Sequence, residues 1–211
     1  MKKKVRLPTA VIRPMTASML SSVVACHRLG FAGYLNNRLG TKYLYAFFRW
    51  FSETEDAIAL CAVVNTDIVG YVVGAPLGYR TSLNRRVRYA ALSSIVLRPH
   101  LVLDKRFIQR AITKFQELRG NVTLDDAPEL PTLTYSLVGI ATHPHYQGRG
   151  IATNLIQEFE KLALASNARS LRLSVYREND SARNLYSRSG WSHYPRDGGL
   201  ADYYYKILAA A

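Results

Sequence analysis

The stretch His143-Pro144-His145-Tyr146-Gln147-Gly148-Arg149-Gly150-Ile151-Ala152-Thr153 decides the fold of this chain. An apolar run over residues 133–142 precedes it, and an amphipathic run over residues 151–164 follows it. That order predicts a strand, a tight glycine turn and a helix. Gly148 and Gly150 permit positive φ and a close approach of a ligand to the backbone. Backbone N–H groups at the start of such a helix favour an anion, most naturally a phosphate or pyrophosphate.

The composition is that of a globular protein, with 48% hydrophobic and 11% aromatic residues over 211 positions. This length fits one domain with an elaboration, and no apolar segment reaches the roughly 18 residues of a membrane span. Cys26 and Cys61 lie in apolar patterns and are too few for a disulfide framework or a metal cluster. Arg13 and Pro14 interrupt the apolar run after the basic start, which argues against a secretory signal. The sequence therefore predicts buried thiols, no metal site and a cytoplasmic location.

The net charge of +13 is large and unevenly distributed. Residues 79–120 contain ten basic and only two acidic side chains, so a fifth of the chain carries more than half of the net charge. The basic residues are Arg80, Arg85, Arg86, Arg88, Arg98, Lys105, Arg106, Arg110, Lys114 and Arg119. This excess indicates an anionic partner: a phosphorylated ligand, nucleic acid or a membrane surface.

Hydrophobic periodicity predicts an α/β chain in which strands and helices are mixed. The expected strands are residues 10–13, 57–64, 68–73, 133–142, 171–176, 191–194 and 201–208. The first expected helix covers residues 16–29, capped by Thr16 or Ser18, with Met19, Val23, Cys26 and Leu29 on one face. The aromatic stretch 42–52 fits helical spacing as well as strand spacing, and a helix is preferred; the sequence does not select which of its rings line an acceptor pocket. Two helices are expected within residues 79–120, one over residues 151–164 with Ile151, Leu155, Phe159 and Leu162 on one face, and a short one capped by Asn179 or Asp180. A short helix or loop is expected over residues 31–39, and the sequence 65–67 predicts a hairpin turn.

Three segments together resemble a known family. The first is Val138-Gly139-Ile140-Ala141-Thr142-His143-Pro144 at the end of a strand. The second, Gln147-Gly148-Arg149-Gly150-Ile151-Ala152, matches the pattern [RQ]-x-x-G-x-[GA], and the third is Asn179-Asp180-Ser181-Ala182-Arg183-Asn184-Leu185-Tyr186, followed by Gly190-Trp191. Their sequence and spacing resemble the Gcn5-related N-acetyltransferase (GNAT) superfamily over about residues 133–208.

The resemblance implies a fold as well as an activity. It implies a mixed, mostly antiparallel central sheet whose central strands splay apart, flanked by helices. The whole chain, residues 1–211, is then expected to form a single acetyltransferase domain. A basic helical insert at about residues 79–131, between the third and fourth strands, lies outside the resemblance.

The resemblance also implies an acetyl-CoA-dependent acyltransferase and assigns roles to residues. The turn would bind the CoA pyrophosphate through backbone N–H groups of Gly148, Arg149, Gly150, Ile151, Ala152 and Thr153, with a side-chain contact from Gln147. The pantetheine arm would pair with the free strand edge at Val138 to Thr142, including Ile140, Ala141 and Thr142, where a backbone N–H would polarise the thioester carbonyl. Asn179 would contact the pantetheine or brace its helix, and Tyr186 would lie near the sulfur and protonate the leaving thiolate. A tyrosine suits that step because its pKa near 10 makes it a credible acid for a thiolate and a poor base at neutral pH.

The general base is left open by the sequence. Many GNAT proteins carry a glutamate a few residues before the His-Pro position, where this chain has Ser136 with Tyr135 beside it. A serine is not a base without help. Glu53, Glu55, His143 and Asp202 are alternatives, acting directly or through water. Ordinary roles, as solvated charges and a turn histidine, are preferred for Glu53, Glu55 and His143.

The acceptor is also left open. The leading hypothesis is a small-molecule amine such as an amino sugar, acetylated by direct transfer in a ternary complex. A protein N-terminus or lysine is the alternative, and a non-catalytic acyl-CoA-binding module is the rival of another class. The basic insert would face an anionic acceptor, an anionic membrane surface at which the protein is peripheral, or a homodimer partner. Few aromatic residues are interleaved with its arginines, which argues against nucleic acid.

Overall fold

The structure of the chain, a computed structural model, describes residues 9–31, 35–97, 130–131, 133–194 and 201–208. Seven strands form one sheet in the order β1-β2-β3-β4-β5-β7-β6. Their bounds are β1 Val11–Pro14, β2 Ile58–Val64, β3 Asp67–Pro76, β4 Thr134–Thr142, β5 Ser170–Tyr176, β6 Ser192–Tyr194 and β7 Ala201–Ile207. The β4–β5 pair is parallel, and the other five strand pairs are antiparallel. The predicted mixed, mostly antiparallel sheet is confirmed.

Helices cover both faces of this sheet. The described helices are α1 Leu20–Gly30, α2 Leu35–Arg38, α3 Thr41–Glu53, α4 Tyr79–Val96, α5 Ile151–Ala165 and α6 Asp180–Arg188. Helices α1, α3 and α4 pack on one face, where the aromatic side chains of α3 are buried. Helix α5 packs on the other face through Leu155, Ile156 and Phe159, all fully buried. Each such side chain contributes about 1.5–3 kcal/mol on leaving water, which is why the amphipathic pattern fixes the face.

The hairpin of β2 and β3 lies between β1 and β4 in the sheet. Both strands are apolar and buried along almost their whole length because helices cover them from both sides. The turn between them places Asn65 at φ 55, a left-handed conformation that asparagine tolerates better than most residues. The prediction of a hairpin at residues 57–73 is therefore confirmed.

The sheet divides between β4 and β5. The two strands pair only from Thr134 to Ser136 on β4 and from Ser170 to Arg172 on β5. Strand β4 also carries an extra residue, Val138, because Gly139 pairs with Val73 while Leu137 pairs with Gly74. Such a bulge increases the local twist and bends the strand. Beyond Ser136 the two strands separate, and this splay confirms the fold expected from the motifs.

Several details of the sequence predictions need correction. Thr16 and Ser18 do not cap α1: their hydroxyls bond each other at 2.9 Å, and α1 begins at Leu20 after a 3₁₀ turn. Two residues expected on buried faces, Leu29 and Leu162, are exposed by 54% and 37% because each lies at the margin of its apolar stripe. The first predicted helix of the insert is confirmed as α4. The second helix predicted within residues 79–120 lies outside the described residues.

Candidate active site

A cleft of about 930 Å³ opens where β4 and β5 separate. One wall, here the donor wall, consists of the turn after β4, the first residues of α5, and α6. The opposite wall, here the acceptor wall, consists of side chains from α1, α3 and α4. The edge of β4 runs between the two walls, so a ligand on either side meets the same strand.

The backbone of β4 faces this cleft with unpaired groups. The N–H of His143 donates to the carbonyl of Val69 on β3 at 2.8 Å. Because backbone groups alternate along a strand, those of Thr142 and Ile140 point away from β3, toward the gap, and those of Ala141 point toward β3. The side-chain amide of Gln147 donates to the carbonyl of Thr142 at 3.4 Å, which agrees with this orientation. The backbone groups of Ile140 and Thr142 are thus placed to pair with an extended ligand. Those of Ala141 are not, because they point toward β3.

The glycine turn is open on the side that faces the cleft. Gly148 and Gly150 have φ values of 72° and 76°, and a Cβ built on either would meet no protein atom within 4 Å. Gly150 is the N-cap of α5, and its carbonyl accepts the first intrahelical hydrogen bond, from Asn154 at 2.9 Å. The N–H groups of residues 151–153 precede that bond, so the helix offers them no carbonyl one turn earlier. Together with the helix dipole they form a concave, positively polarised surface that fits a phosphate.

Arg149 stabilises the turn from its outer side. Its guanidinium donates to the carbonyl of His145 at 2.8 Å and lies 4.7 Å from the centre of the Tyr146 ring. The ring nitrogen Nδ1 of His143 accepts from the N–H of His145 at 3.2 Å. Neither Arg149 nor His143 lines the cleft in the described structure. The side chain of Arg149 therefore differs in position from the other sequence-predicted ligand residues, all of which line the cleft.

Helix α6 brings the third motif to the donor wall. Asn179 caps it, because its side-chain oxygen accepts from the N–H of Ala182 at 3.1 Å, which confirms the predicted cap. Tyr186 lies about two helical turns further along the chain. It is 5% exposed, and the rings of Trp191 and Tyr204 lie 5.9 and 5.8 Å from its own. Burial raises the pKa of Tyr186 far above its ordinary value, so the phenol stays protonated at neutral pH. A protonated hydroxyl at the cleft can donate a hydrogen bond or a proton.

A carboxylate connects the elements that carry these residues. Glu160 of α5 accepts from Trp191 Nε1 at 2.8 Å and from Lys206 Nζ of β7 at 2.7 Å. The same Lys206 ammonium donates to the carbonyl of Ser189 at the end of α6, at 2.9 Å. Helices α5 and α6 are therefore linked through one partly buried ion pair.

The sequence-based candidates for a general base lie away from the cleft. Ser136 is buried in the part of β4 that still pairs with β5. Glu53 forms ion pairs with Arg49 and Arg86 on the surface of α3 and α4. Asp202 is buried and pairs with Arg177 at 2.7 Å and with His193 at 3.2 Å. Glu55 does not line the cleft either, and no aspartate or glutamate of the described ranges does.

The acceptor wall contains residues that sequence reasoning did not assign. Tyr43 and Phe47 of α3 line it, so these are the rings of the aromatic segment that border the cleft. Arg80 of α4 also lines it, and Arg172 of β5 lies close enough that, after burial, Arg80 is the main cause lowering the pKa of the Arg172 guanidinium. Within the described residues, no acidic side chain forms an ion pair with either arginine. Anionic ligands are therefore favoured on this wall.

His27 and Tyr71 are a second unassigned feature of the acceptor wall. His27 Nδ1 lies 2.6 Å from the Tyr71 hydroxyl, and both side chains are buried and border the cleft. Burial lowers the pKa of His27 to about 4, so the imidazole is neutral at physiological pH. A histidine within the buried stripe of α1, beside Val23 and Cys26, was the available signal in the sequence. That pattern is shared by any histidine in a helix core, so the pattern alone does not reveal its partner.

Three further observations bear on class. In the part of the chain that the structure describes, no helix is long and apolar enough to cross a membrane. The same residues contain no group of three or more His, Cys, Asp or Glu side chains placed to hold a metal ion. Both cysteines are buried free thiols, as predicted.

Solved structures with a similar fold include proteins described as acetyltransferases. The GNAT domain of S. lividans PAT matches with a TM-score of 0.59 and 13% identity, over 94% of this chain and 90% of that one. PaiA N-acetyltransferase from Thermoplasma acidophilum, solved in complex with coenzyme A, matches with a TM-score of 0.56 and 14% identity, over 95% and 99%. Ard1 from Thermoplasma volcanium matches with a TM-score of 0.57 and 15% identity, over 96% and 99%. At these identities the likeness is one of fold.

The sequence itself matches a family model, described as the acetyltransferase (GNAT) family, over residues 105–191. That range contains all three motif segments that line the donor wall. The divided sheet, the open glycine turn and this match agree with one another. Residues 105–191 therefore match the acetyltransferase (GNAT) family in sequence, and the chain as a whole has the fold of solved GNAT proteins.

Proposed function

We propose that this protein is an acetyl-CoA-dependent N-acetyltransferase, formed by the chain as a single acetyltransferase domain, that acetylates a small anionic amine. One observation supports this most directly: the divided strands, the glycine turn and the protonated Tyr186 open onto the same cleft. Backbone groups of β4, a phosphate-binding helix start and a buried acid are the parts that acyl transfer from a thioester requires.

The donor wall fits acetyl-CoA in its chemistry. The N–H groups of residues 148–153 bind the pyrophosphate, where the open faces of Gly148 and Gly150 leave room for close approach. Ile140 and Thr142 pair with the pantetheine amides through the unpaired edge of β4. Their N–H groups also polarise the thioester carbonyl, which makes its carbon more electrophilic. Thr142 Oγ1 is buried without a hydrogen-bond partner among the described residues, and such an orphaned group is typical of a site that completes its bonding with ligand.

Tyr186 supplies the proton for the thiolate that leaves. Its burial keeps the phenol neutral until charge develops on the sulfur. Asn179 holds the first turn of α6 through its cap, and so fixes the position of Tyr186 relative to the strand edge. Gln147 holds the turn against the end of β4 through the Thr142 carbonyl. These residues bind the donor, orient it and donate the proton.

The acceptor wall supports an anionic amine. Arg80 faces the cleft with Arg172 behind it, and the described lining contains no carboxylate that would attract a polycation. Aromatic side chains such as Tyr43 and Phe47 provide an apolar surface on which a sugar or similar ring packs. A phosphorylated or nucleotide-linked amino sugar combines these properties. The exposed Arg85, Arg86 and Arg88 of α4 raise the local concentration of such an anion.

The test is a thiol-release assay with acetyl-CoA and a panel of amines: amino sugar phosphates, neutral amino sugars, polyamines and peptides with free N-termini. We expect release with the anionic sugars at the highest kcat/KM. The variant Arg80→Gln should lower that kcat/KM by about 10- to 100-fold, the value of one charge-assisted hydrogen bond, while the Kd for CoA is retained. Arg85→Gln, on the same helix but outside the cleft, removes an equal charge without a contact in the cleft and should lower kcat/KM by a smaller factor than Arg80→Gln.

Two other outcomes would replace the proposal. If peptides alone release thiol, the protein acetylates protein N-termini or lysines. If CoA binds and none of the amines or peptides releases thiol, the protein is an acyl-CoA-binding module.

A further inference from the structure

The acceptor wall contains a buried hydrogen-bonded pair that the proposed chemistry has not used. His27 of α1 is 6% exposed and Tyr71 of β3 is 1% exposed, and His27 Nδ1 lies 2.6 Å from the Tyr71 hydroxyl oxygen. The imidazole stacks on Phe31 with ring centres 4.7 Å apart and meets Phe48 edge-on at 5.4 Å. The rings fix the orientation of the imidazole, and the imidazole fixes that of the hydroxyl.

The pair lies beside the part of β4 that faces the donor. Tyr71 pairs with Ala141 across the two strands. Its hydroxyl oxygen lies 4.0 Å from the position that a Cβ at Gly139 would occupy. Gly139 has no side chain to cover this hydroxyl, and both residues line the cleft. Tyr71 therefore reaches the cleft next to Ile140, whose backbone N–H points into the gap.

The protonation states of the pair follow from burial. Burial lowers the pKa of His27 to about 4 and raises the pKa of Tyr71 well above its ordinary value. At neutral pH both side chains are therefore uncharged, with one proton on the imidazole and one on the phenol. His27 Nε2 has no hydrogen-bond partner among the described residues. When the imidazole proton is on Nε2, Nδ1 accepts the Tyr71 O–H and the lone pairs of the hydroxyl oxygen remain available to the cleft.

An incoming amine requires such an acceptor. Its N–H groups can only donate, and one of them must be held so that the nitrogen lone pair points at the acyl carbon. The described lining of the cleft contains no carboxylate that could do this. In this tautomer Tyr71 differs from the other hydroxyls of the wall because its proton is directed at His27 Nδ1 and away from the cleft.

Building on the proposed N-acetyltransferase function, we propose that Tyr71 binds the acceptor amine, its hydroxyl oxygen accepting a hydrogen bond from the amine N–H beside Gly139. Tyr71 is then a catalytic residue of the acceptor side. His27 is a positioning residue, because it acts by accepting the Tyr71 O–H. No proton is transferred within the pair, and both side chains remain neutral.

The first test is Tyr71→Phe, which removes the oxygen and keeps the ring. We expect kcat/KM for the amine to fall about 10- to 100-fold, as for one lost hydrogen bond to a reacting group, with the Kd for CoA changed by less than about twofold. Tyr135→Phe is the matched control, because Tyr135 is a buried tyrosine of β4 in the opposite core and does not line the cleft. It should leave kcat/KM unchanged. Thermal melts of each variant report folding.

The second test separates orientation from packing. His27→Asn retains a hydrogen-bond acceptor at the position of Nδ1, whereas His27→Phe retains the ring and removes the acceptor. We expect His27→Asn to keep kcat/KM within about fivefold of wild type, and His27→Phe to lose as much as Tyr71→Phe. Because the two residues act as one unit, the double variant should lose no more than either single variant.

Each possible result of these two tests supports or overturns one part of the proposal. Wild-type kcat/KM in Tyr71→Phe would overturn the role of Tyr71 and leave the proposed function standing. Equal losses in His27→Asn and His27→Phe would overturn the positioning role of His27. If Tyr71→Phe does not fold, the His27 variants alone decide. If wild-type protein releases no thiol with any amine, the proposed function fails and this inference fails with it.

Discussion

Replacing Gly150 by alanine should weaken CoA binding while leaving most of the folding free energy intact. Gly150 stands at the N-cap of α5 with φ 76° and ψ 0°, and a Cβ added there meets no protein atom within 4 Å. The new methyl group would instead project into the open cleft, where a phosphate must approach the N–H groups of residues 151–153. The methyl group would therefore collide with a bound phosphate and with no atom of the protein.

Gly78 provides a control with nearly the same backbone. It is the N-cap of α4, with φ 93° and ψ −13°, and a Cβ there also meets nothing within 4 Å. Gly78 does not line the cleft. The left-handed conformation costs an alanine about 1–2 kcal/mol at either position. At about 2–4 °C per kcal/mol for a chain of this size, both variants should melt about 2–8 °C below wild type.

The difference between the two variants then lies in ligand affinity. Losing one charge-assisted hydrogen bond to a phosphate corresponds to about 1.5–3 kcal/mol, or about a 10- to 150-fold rise in Kd. Isothermal titration with CoA should show this rise for Gly150→Ala and an unchanged Kd for Gly78→Ala. Equal Kd values in the two folded variants would refute the assignment of the turn as a pyrophosphate site.

Three further changes test other parts of the molecule. Tyr186→Phe should lower thiol release by about 10²- to 10⁴-fold, as for loss of a general acid, with the Kd for CoA unchanged; undiminished turnover would remove Tyr186 from the mechanism. Asn179→Ala should cost about 1 kcal/mol of stability through loss of the cap, measured by urea unfolding, and Asn179→Ser should restore most of it; if alanine and serine are equally stable, the cap is not what stabilises α6. Gly74→Ala should destabilise the fold by about 2 kcal/mol or more, because its Cβ would lie 2.4 Å from the Phe159 ring. Gly139→Ala, whose Cβ meets nothing nearer than 3.6 Å, should melt close to wild type, and similar melting of both variants would contradict the tight contact at Gly74.

The donor side of the cleft could be predicted from sequence because its determinants are local. Gly148 and Gly150 define the turn by their φ values, and Asn179 caps its helix through a residue three positions later. The pattern from Ile151 to Phe159 fixes which face of α5 is buried. Each of these features depends on neighbours within about two helical turns, so spacing alone carries the information.

The acceptor side depends on contacts between distant segments. His27 and Tyr71 are 44 residues apart and meet only because α1 packs over β3. Arg80 and Arg172 are also far apart in sequence, yet they lie close enough that, after burial, Arg80 is the main cause lowering the pKa of Arg172. Ser136 stands at the position where the family often has a glutamate. It lies in the part of β4 that pairs with β5, and only the register between the two strands shows that the pairing extends this far. The extent of strand pairing cannot be read from an apolar run, so neither the substitute for that glutamate nor its surroundings could be predicted.

The link between Glu160 and Lys206 gives the two walls different sensitivities to salt. Their side chains are 15% and 26% exposed, and the ion pair is 2.7 Å long, so dissolved ions screen it weakly. The arginines of α4 are largely exposed, and their attraction for an anion falls as the ionic strength rises. Raising the salt concentration should therefore increase the KM for an anionic acceptor while the alignment of α5 with α6, and with it the placement of Tyr186, is preserved. On the proposed function, the capture of the acceptor would then depend on the ionic strength, and the proton donation by Tyr186 would not.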